Sequence, residues 1–224
     1  MQNIPFYIYL VFGIAVLFSF ATFYKAANNS KPFLVVALVW LLVQTIISLT
    51  GFYTNTTAMP PRFPLLILPP VVCIIMLFIL QGGRVFIKGL SIKTLTLLHT
   101  VRVLVELVLY WLFIHKAVPQ VITFEGSNFD VLSGITAPLI YYFGFVKNKL
   151  PNAVILVWNF ICLSLLINVV YHAVLSVPTP LQQFGFEQPN IAITYFPFVL
   201  LPAFLVPLVL FAHMVVITRL TGKR

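Results

Sequence analysis

Long apolar stretches alternate with short polar connections along the whole chain. A helix needs about 20 apolar residues to cross the hydrocarbon layer of a bilayer. Seven stretches come close to that length, at residues 4–24, 32–52, 64–82, 95–116, 129–146, 152–175 and 191–218. None of the connections is long enough to form a separate soluble domain. The pattern predicts a single all-α integral membrane domain over residues 1–224, built as a bundle of seven transmembrane helices.

The composition also favours a membrane protein. Hydrophobic residues make up 61% of the chain and charged residues only 8%, whereas about a quarter of a soluble domain is charged. The net charge of +9 is a feature that nucleic-acid-binding proteins share, because cations bind phosphate. Here the basic residues are scattered singly between apolar runs. We therefore expect the lipid bilayer, and not a nucleic acid, as the partner of this surface.

The positions of Lys and Arg predict the orientation, because cytoplasmic loops carry an excess of basic residues. With the amino terminus outside and the carboxyl terminus in the cytoplasm, ten of the 13 basic residues fall on the cytoplasmic side: Lys25, Lys31, Arg84, Lys88, Lys93, Lys147, Lys149, Arg219, Lys223 and Arg224. Short loops and basic cytoplasmic rims are typical of a bacterial cytoplasmic (inner) membrane protein. The pattern assigns no oligomeric state.

The fourth apolar stretch holds the strongest functional signal. His99, Arg102 and Glu106 are spaced by three and four residues, which places them within an arc of roughly 60° on a helix. Tyr110 continues the same stripe. A charged side chain at this depth costs at least about 2.5–3.5 kcal/mol, so the stripe is expected to face the bundle interior or a wet cavity. These four residues are the predicted binding or proton-relay site.

A structural interpretation competes with that site. Arg102 and Glu106, at positions i and i+4, are able to satisfy each other as an ion pair that only fixes helix packing. Asn168 and His172 on the sixth apolar stretch form a candidate second wall of the site. Both alternatives remain open for these two residues, since polar side chains in membranes also serve as contacts between helices.

The connections predicted on the outer side are polar and acidic. Glu125, Asp130 and His115, together with His172, are predicted to line an outer entrance for a cation or proton. A plainer interpretation of Asp130, and of Asn128 before it, is a helix start with a capping side chain. Asn190, which follows Pro189, is likewise predicted to cap the seventh helix.

Several chemistries are disfavoured by the motifs that the chain lacks. The sequence contains neither a glycine-rich phosphate loop nor the His-Glu-x-x-His pattern of zinc proteases. Residues 191–218 contain no lysine, which excludes a retinal Schiff base on the last helix. The pattern assigns no metal and identifies no catalytic residue, so an enzyme is the least favoured class.

The histidines of the chain are candidate haem ligands, because histidine is a common axial ligand of haem. His99 and His213 are predicted at one depth, and His115 and His172 at another. The 16-residue separation of His99 and His115 rotates them by about 160° on a helix, which opposes two haems on one face. A single haem remains open.

Transport or proton-linked gating of a small solute, through the polar site on the fourth helix, is the function that these features favour. A buried carboxylate beside Arg and His is able to change its protonation as a gate moves. The alternatives are a haem-binding membrane cytochrome, and a sensor or assembly subunit whose buried ion pair is structural.

Overall fold

The computed structural model describes residues 4–222, and these residues form helices and loops without any strand. The helices are α1 (Phe6–Ala26), α2 (Lys31–Leu49), α3 (Pro64–Ile79), α4 (Gln81–Gly89), α5 (Ile92–Leu98), α6 (Val101–Ile114), α7 (Val131–Ile140, continued by a π-helical turn over Tyr141–Val146), α8 (Asn152–Val174) and α9 (a π-helical turn over Leu201–Leu205, then Val206–Thr221). Lys223 and Arg224, two of the ten basic residues predicted on the cytoplasmic side, lie outside the described residues.

The all-α prediction is confirmed, and five elements of the described part of the chain are long and apolar enough to cross a membrane. They are Phe6–Ala26, Lys31–Leu49, Ile92–Ile114, Asn152–Val174 and Leu201–Thr221. A sixth is added if α3 and α4 count as one span. The apolar helix over Val131–Val146 is shorter than these.

One end of the bundle, called the basic end below, carries Lys25, Lys31, Arg84, Lys88, Lys93, Lys147, Lys149 and Arg219. Three contacts join its loops: Asn28 Nδ2 to the Gly89 carbonyl at 2.8 Å, Arg219 to the Leu90 carbonyl, and the Lys93 ammonium to the ring of Tyr141 at 5.2 Å. At the opposite end, the backbone N–H groups of Ile191 and Ala192 donate to the Ala117 carbonyl.

The predicted third stretch, 64–82, does not continue as one straight helix. The chain turns by 92° between α3 and α4, because Leu80 adopts an extended conformation. The helix α4 has polar and basic positions, including Arg84 and Lys88, on the side opposite to Phe86 and Ile87. Pro69 and Pro70 lie inside α3 without ending it.

The predicted seventh helix, 191–218, is wrong in its first ten residues. Residues 191–200 form a short 3₁₀ turn (Ala192–Thr194) and irregular backbone, and helical structure begins only at Leu201. Pro197 lacks an N–H group and disfavours the α conformation of the residue before it. The capping role predicted for Asn190 is therefore also wrong: its side chain donates to the Ala173 carbonyl on α8 at 3.1 Å.

The fourth and fifth stretches also differ from their predicted bounds. Residues 95–116 belong to two helices, α5 and α6, which are separated by a break at His99 and Thr100. In the fifth stretch, 129–146, the helix begins at Val131. The chain between α6 and α7 runs back into the bundle as an irregular segment, so that Ile122, Thr123, Asn128 and Asp130 are buried.

The core lies between α1, the broken helix α5–α6, and α9. Aromatic rings from α1 pack on α9 and the segment before it, in the pairs Phe12–Phe198, Phe20–Phe204 and Phe23–Phe211. The helix α2 packs loosely on this core. It is held by Trp40, whose indole N–H donates to the Ala203 carbonyl at 2.8 Å.

The helices α6 and α7 approach each other closely at Gly134. A Cβ added there would lie 2.8 Å from both the backbone N and Cγ2 of Val103, and 3.2 Å from Cβ of Arg102. A side chain at position 134 would therefore separate α7 from the turn of α6 that carries Arg102.

Replacing Gly134 with Ala is expected to lower the free energy of unfolding by about 1–3 kcal/mol, the usual cost of overpacking. Gly13 in α1 is the matched control, because a Cβ at that position meets no atom within 4 Å. Gly13→Ala should be neutral or stabilising. Thermal unfolding in mild detergent measures both variants, and equal melting temperatures would contradict the close approach.

Candidate functional site

Arg102 lies at the centre of a buried polar cluster that connects four helices. Its side chain is only 3% exposed. Nη1 donates to Asp130 Oδ1 at 2.8 Å and to the Cys162 carbonyl on α8 at 3.2 Å. Nη2 lies 2.9 Å from His213 Nε2 on α9. The guanidinium therefore bonds groups carried by α7, α8 and α9 from its position on α6.

Asp130 reaches Arg102 because the irregular segment before α7 enters the bundle. The helix predicted to start at Asn128 and Asp130 begins at Val131, and the Asp130 carboxylate does not cap it. That carboxylate accepts from Arg102 and, at 3.4 Å, from the Ser133 hydroxyl. The amino terminus of α7 adds its partial positive charge at the same place. The Asp130 carboxylate therefore lies beside a full and a partial positive charge.

Glu106 has a different partner from the one expected on sequence grounds. Both of its carboxylate oxygens accept from Asn128 Nδ2 at 2.7 Å. Asn128 also donates to the Ile122 carbonyl at 2.9 Å, and its Oδ1 accepts from the backbone N–H of Asp130 at 2.9 Å. The alternative prediction of an i,i+4 ion pair between Arg102 and Glu106 is wrong. The guanidinium is bonded instead to Asp130, from the irregular segment before α7.

The contact with Arg102 assigns the tautomer of His213. A guanidinium only donates hydrogen bonds, so His213 Nε2 must be the unprotonated nitrogen. Nδ1 therefore carries the proton and donates to Asn159 Oδ1 on α8 at 2.9 Å. Asn159 Nδ2 in turn donates to the Ile155 carbonyl at 2.9 Å. His213 is thus a neutral ring with both nitrogens bonded.

The ring of His99 lies beside this network and makes no hydrogen bond within residues 4–222. Its ring stacks on His213 with 3.9 Å between ring centroids and 19° between the planes. Trp158 packs edge-on at 5.6 Å. Both ring nitrogens of His99, and Nε of Arg102, are buried without a partner among the described residues. Buried polar atoms normally have partners, so these three atoms are unused hydrogen-bonding positions beside the cluster.

A small cavity adjoins the cluster. It has a volume of about 60 Å³ and is lined by Arg102, Glu106, Asp130, Asn190 and apolar side chains. A water molecule needs roughly 10–15 Å³ of such volume, so a few waters or one small ion fit. Leu201, the first residue of the helical part of α9, also lines this cavity. Two helices, α7 and α9, therefore begin inside the bundle near the charged side chains.

The other residues singled out from the sequence lie away from Arg102. Tyr110 packs on Phe124 at 4.7 Å. Asn168 donates to the Ser127 carbonyl at 2.8 Å. His172 Nδ1 lies 2.9 Å from the Asn168 carbonyl, and its ring packs on Phe184. These contacts tie α8 to the loops at the end opposite the basic end.

The residues predicted to line an outer entrance differ in their exposure in the structure. Glu125 is exposed, and His115 is half-buried at the end of α6. Asp130, by contrast, is buried against Arg102. Sequence reasoning did not place Asn128, Asn159 or His213 in the site. The signal available in the sequence was a polar side chain inside an apolar stretch, which applies to Asn159 and His213. The fold encloses all three side chains completely.

Most of the chain, including the buried cluster, matches one protein family. Residues 63–221 match the family described as Domain of unknown function (DUF8737), which is more than half of the chain. The chain belongs to this family. The matched DUF8737 region contains every residue of the buried cluster, from His99 to His213, whereas α1 and α2 precede it. No curated protein and no solved structure matches the chain.

The stacking of the two histidines opposes a haem between them. Axial ligands of a haem point a ring nitrogen at the iron from opposite sides of the macrocycle, and the two imidazoles do not touch. His99 and His213 are in face-to-face contact at 3.9 Å, and both nitrogens of His213 bond protein groups. The pairing of His99 with His213 as haem ligands therefore does not fit this DUF8737 protein.

A double-mutant cycle tests whether Asp130 is the partner of Arg102. Arg102→Met and Asp130→Leu each leave a buried charge without its partner, and each should lower the free energy of unfolding by about 3–5 kcal/mol. The double variant replaces the pair by apolar side chains and should recover much of that loss. Unfolding in detergent measures all four proteins.

The matched control is Arg102→Met combined with Glu106→Leu. This variant removes the neighbouring carboxylate but leaves Asp130 unpaired, so it should show no such recovery. Equal recovery with Glu106→Leu, or strictly additive effects of Arg102→Met and Asp130→Leu, would contradict the pairing.

Proposed function

We propose that this protein transports or gates a small solute across the bacterial cytoplasmic membrane, with exchange of a proton at Glu106. The observation that carries the proposal is the buried cluster of Arg102, Asp130 and Glu106, at a place where two helices begin inside the bundle. Its three formal charges sum to minus one. One proton or one monovalent cation would make it neutral.

Glu106 is the group suited to carry that proton. Asp130 has a bonded cation in Arg102, whereas the donor bonded to Glu106 is a neutral amide, Asn128. An uncompensated charge is costly in an interior of low dielectric constant. Proton exchange at Glu106 would switch the cluster between a neutral and a charged state, and the charged state favours entry of water or of a cation.

The course of the chain supports seven crossings with the amino terminus outside. The loops of the basic end join the carboxyl ends of α1, α4 and α9 to the beginning of α5. Five of the crossings would be the long apolar elements among residues 4–222, and the sixth would be α3 and α4 counted as one bent span. The remaining one is α7 together with the irregular segment before it. Under the positive-inside rule, the basic end faces the cytoplasm.

Helices that follow irregular backbone within the bundle are a known feature of transporters. Irregular backbone at membrane depth is tolerated only where it is buried in protein or lines a cavity. In transporters, such segments and the helix ends beside them bind the substrate and the coupling ion. The segments before α7 and before α9 have this form, and residues that border both segments line the cavity.

The cavity of about 60 Å³ is too small for a solute larger than a few waters. The structure is therefore the closed conformation in this proposal. Opening requires α6 to separate from the segment that carries Asn128 and Asp130. Uptake or release of a proton at Glu106 would change the strength of its contact with Asn128 and thereby bias that movement.

A structural role for the cluster is the second candidate. It is favoured by the number of bonds to Arg102, whose two terminal nitrogens reach three elements. In that case the cluster only fixes the arrangement of α6, α7, α8 and α9. The two candidates differ in their expectation for Glu106, which makes no ion pair among the described residues.

The test uses protein in vesicles that hold a pH-sensitive dye. A panel of small solutes is added outside under an imposed proton gradient. For at least one solute, the wild-type protein should give a proton flux that empty vesicles do not give, and Glu106→Gln should abolish it. Gln keeps the size of the side chain and an oxygen that accepts from Asn128, so the variant should remain folded.

Tyr110→Phe is the matched control on the same helix face. It keeps the ring that packs on Phe124 and should keep the flux. If Glu106→Gln retains wild-type flux, or if no solute moves protons while Arg102→Met unfolds the protein, the structural role is correct and the proposed transport is not.

A further inference from the structure

A second and larger cavity lies on the other side of the bundle, between α2, α3 and α9. Its volume is about 580 Å³, within the range of roughly 300–1,000 Å³ that is usual for ligand sites. It is a groove with apolar walls, formed by rings such as Phe33, Trp40, Phe204 and Phe211. The loosely packed helix α2 forms one wall. Phe86 and two glycines of α4 line the groove at the basic end.

The length of the groove corresponds to one leaflet of a bilayer. Along α2 it extends from Pro32 to Trp40, and along α3 from Leu77 to Pro69. Each path covers eight residues, or about 12 Å of helix. Half of a hydrocarbon core is about 15 Å. The groove therefore matches the depth of an acyl chain that enters from the basic end.

Within residues 4–222, the charged side chains at the rim of the groove are all basic. Lys31 is exposed between the lining residues Ser30 and Pro32, and Arg84 is exposed next to the lining residue Gly83. Lys88 follows one turn later on α4. The four acidic residues of the chain are Glu106, Glu125, Asp130 and Glu187, and none lies at this end. A headgroup held here would meet cations alone.

Arg84 is positioned for such a headgroup. Its Nε donates to the Phe78 carbonyl at the end of α3, at 3.0 Å. This bond fixes the guanidinium at the corner where the chain turns by 92° into α4. Its two terminal nitrogens make no hydrogen bond within residues 4–222, and they are the donors that bind a phosphate in a bidentate manner.

We infer that the groove binds an anionic phospholipid, with one acyl chain between α2 and α3 and the phosphate at Lys31, Arg84 and Lys88. The apolar walls exclude a polar solute, and the basic rim favours an anionic headgroup over a zwitterionic one. The bound chain fills the space that α2 leaves, and so holds α2 to the bundle. This inference is independent of proton exchange at Glu106.

Native mass spectrometry of delipidated protein provides the test, with phosphatidylglycerol and phosphatidylcholine of the same chain length as probes. Wild-type protein should retain phosphatidylglycerol more tightly. Each of Lys31→Gln, Arg84→Gln and Lys88→Gln should weaken its binding about fivefold, the factor expected for one cation near a lipid surface. Lys147→Gln and Lys149→Gln are the matched controls, since both are exposed at the same end but away from the groove.

A second pair of variants tests the apolar part of the site. Cys73 is an exposed groove residue on α3. Cys73→Trp should fill the groove and remove tight binding of both lipids, whereas Cys73→Ala should leave binding unchanged. Equal affinity for the two lipids, equal effects of the Lys31 and Lys147 variants, or a lipid-free dimer that Cys73→Trp dissociates would each overturn the inference.

Discussion

The ion pair between Arg102 and Asp130, with 2.8 Å between Nη1 and Oδ1, is the contact on which the rest of the structure depends. A cation buried in α6 needs an anion in the interior. The nearest carboxylate along the helix, Glu106, is not the one used. Asp130 is brought in by the irregular segment after α6, so α7 begins inside the bundle and is short. The same segment carries Asn128, the partner of Glu106.

This arrangement brings groups from α7, α8 and α9 to the guanidinium on α6, and the formal charges of the cluster then sum to minus one. Asp130, the Cys162 carbonyl and His213 occupy the terminal nitrogens of Arg102. Glu106 is bonded to an amide alone. The balance of charge within the cluster thus depends on whether Glu106 holds a proton. The cluster borders the two irregular segments, before α7 and before α9.

Hydropathy predicted the all-α class and the long helices α1, α2 and α8, since these are uninterrupted apolar runs of membrane-spanning length. Depth and spacing also placed Arg102 and Glu106 on one interior face. The partners were missed because i,i+4 spacing reveals only contacts within one helix, whereas Asp130, Asn128 and His213 arrive through the fold. Residues 191–200 are as apolar as a helix, so hydropathy did not distinguish their irregular backbone; Pro197 was the available sign.

The most direct test of proton exchange at Glu106 is infrared difference spectroscopy of the protein in lipid as the pH is changed. The account predicts a carboxylic-acid carbonyl band that varies with pH, disappears in Glu106→Gln, and persists in Tyr110→Phe. A protein without a titrating carboxyl band, or a band that Glu106→Gln leaves in place, would contradict it.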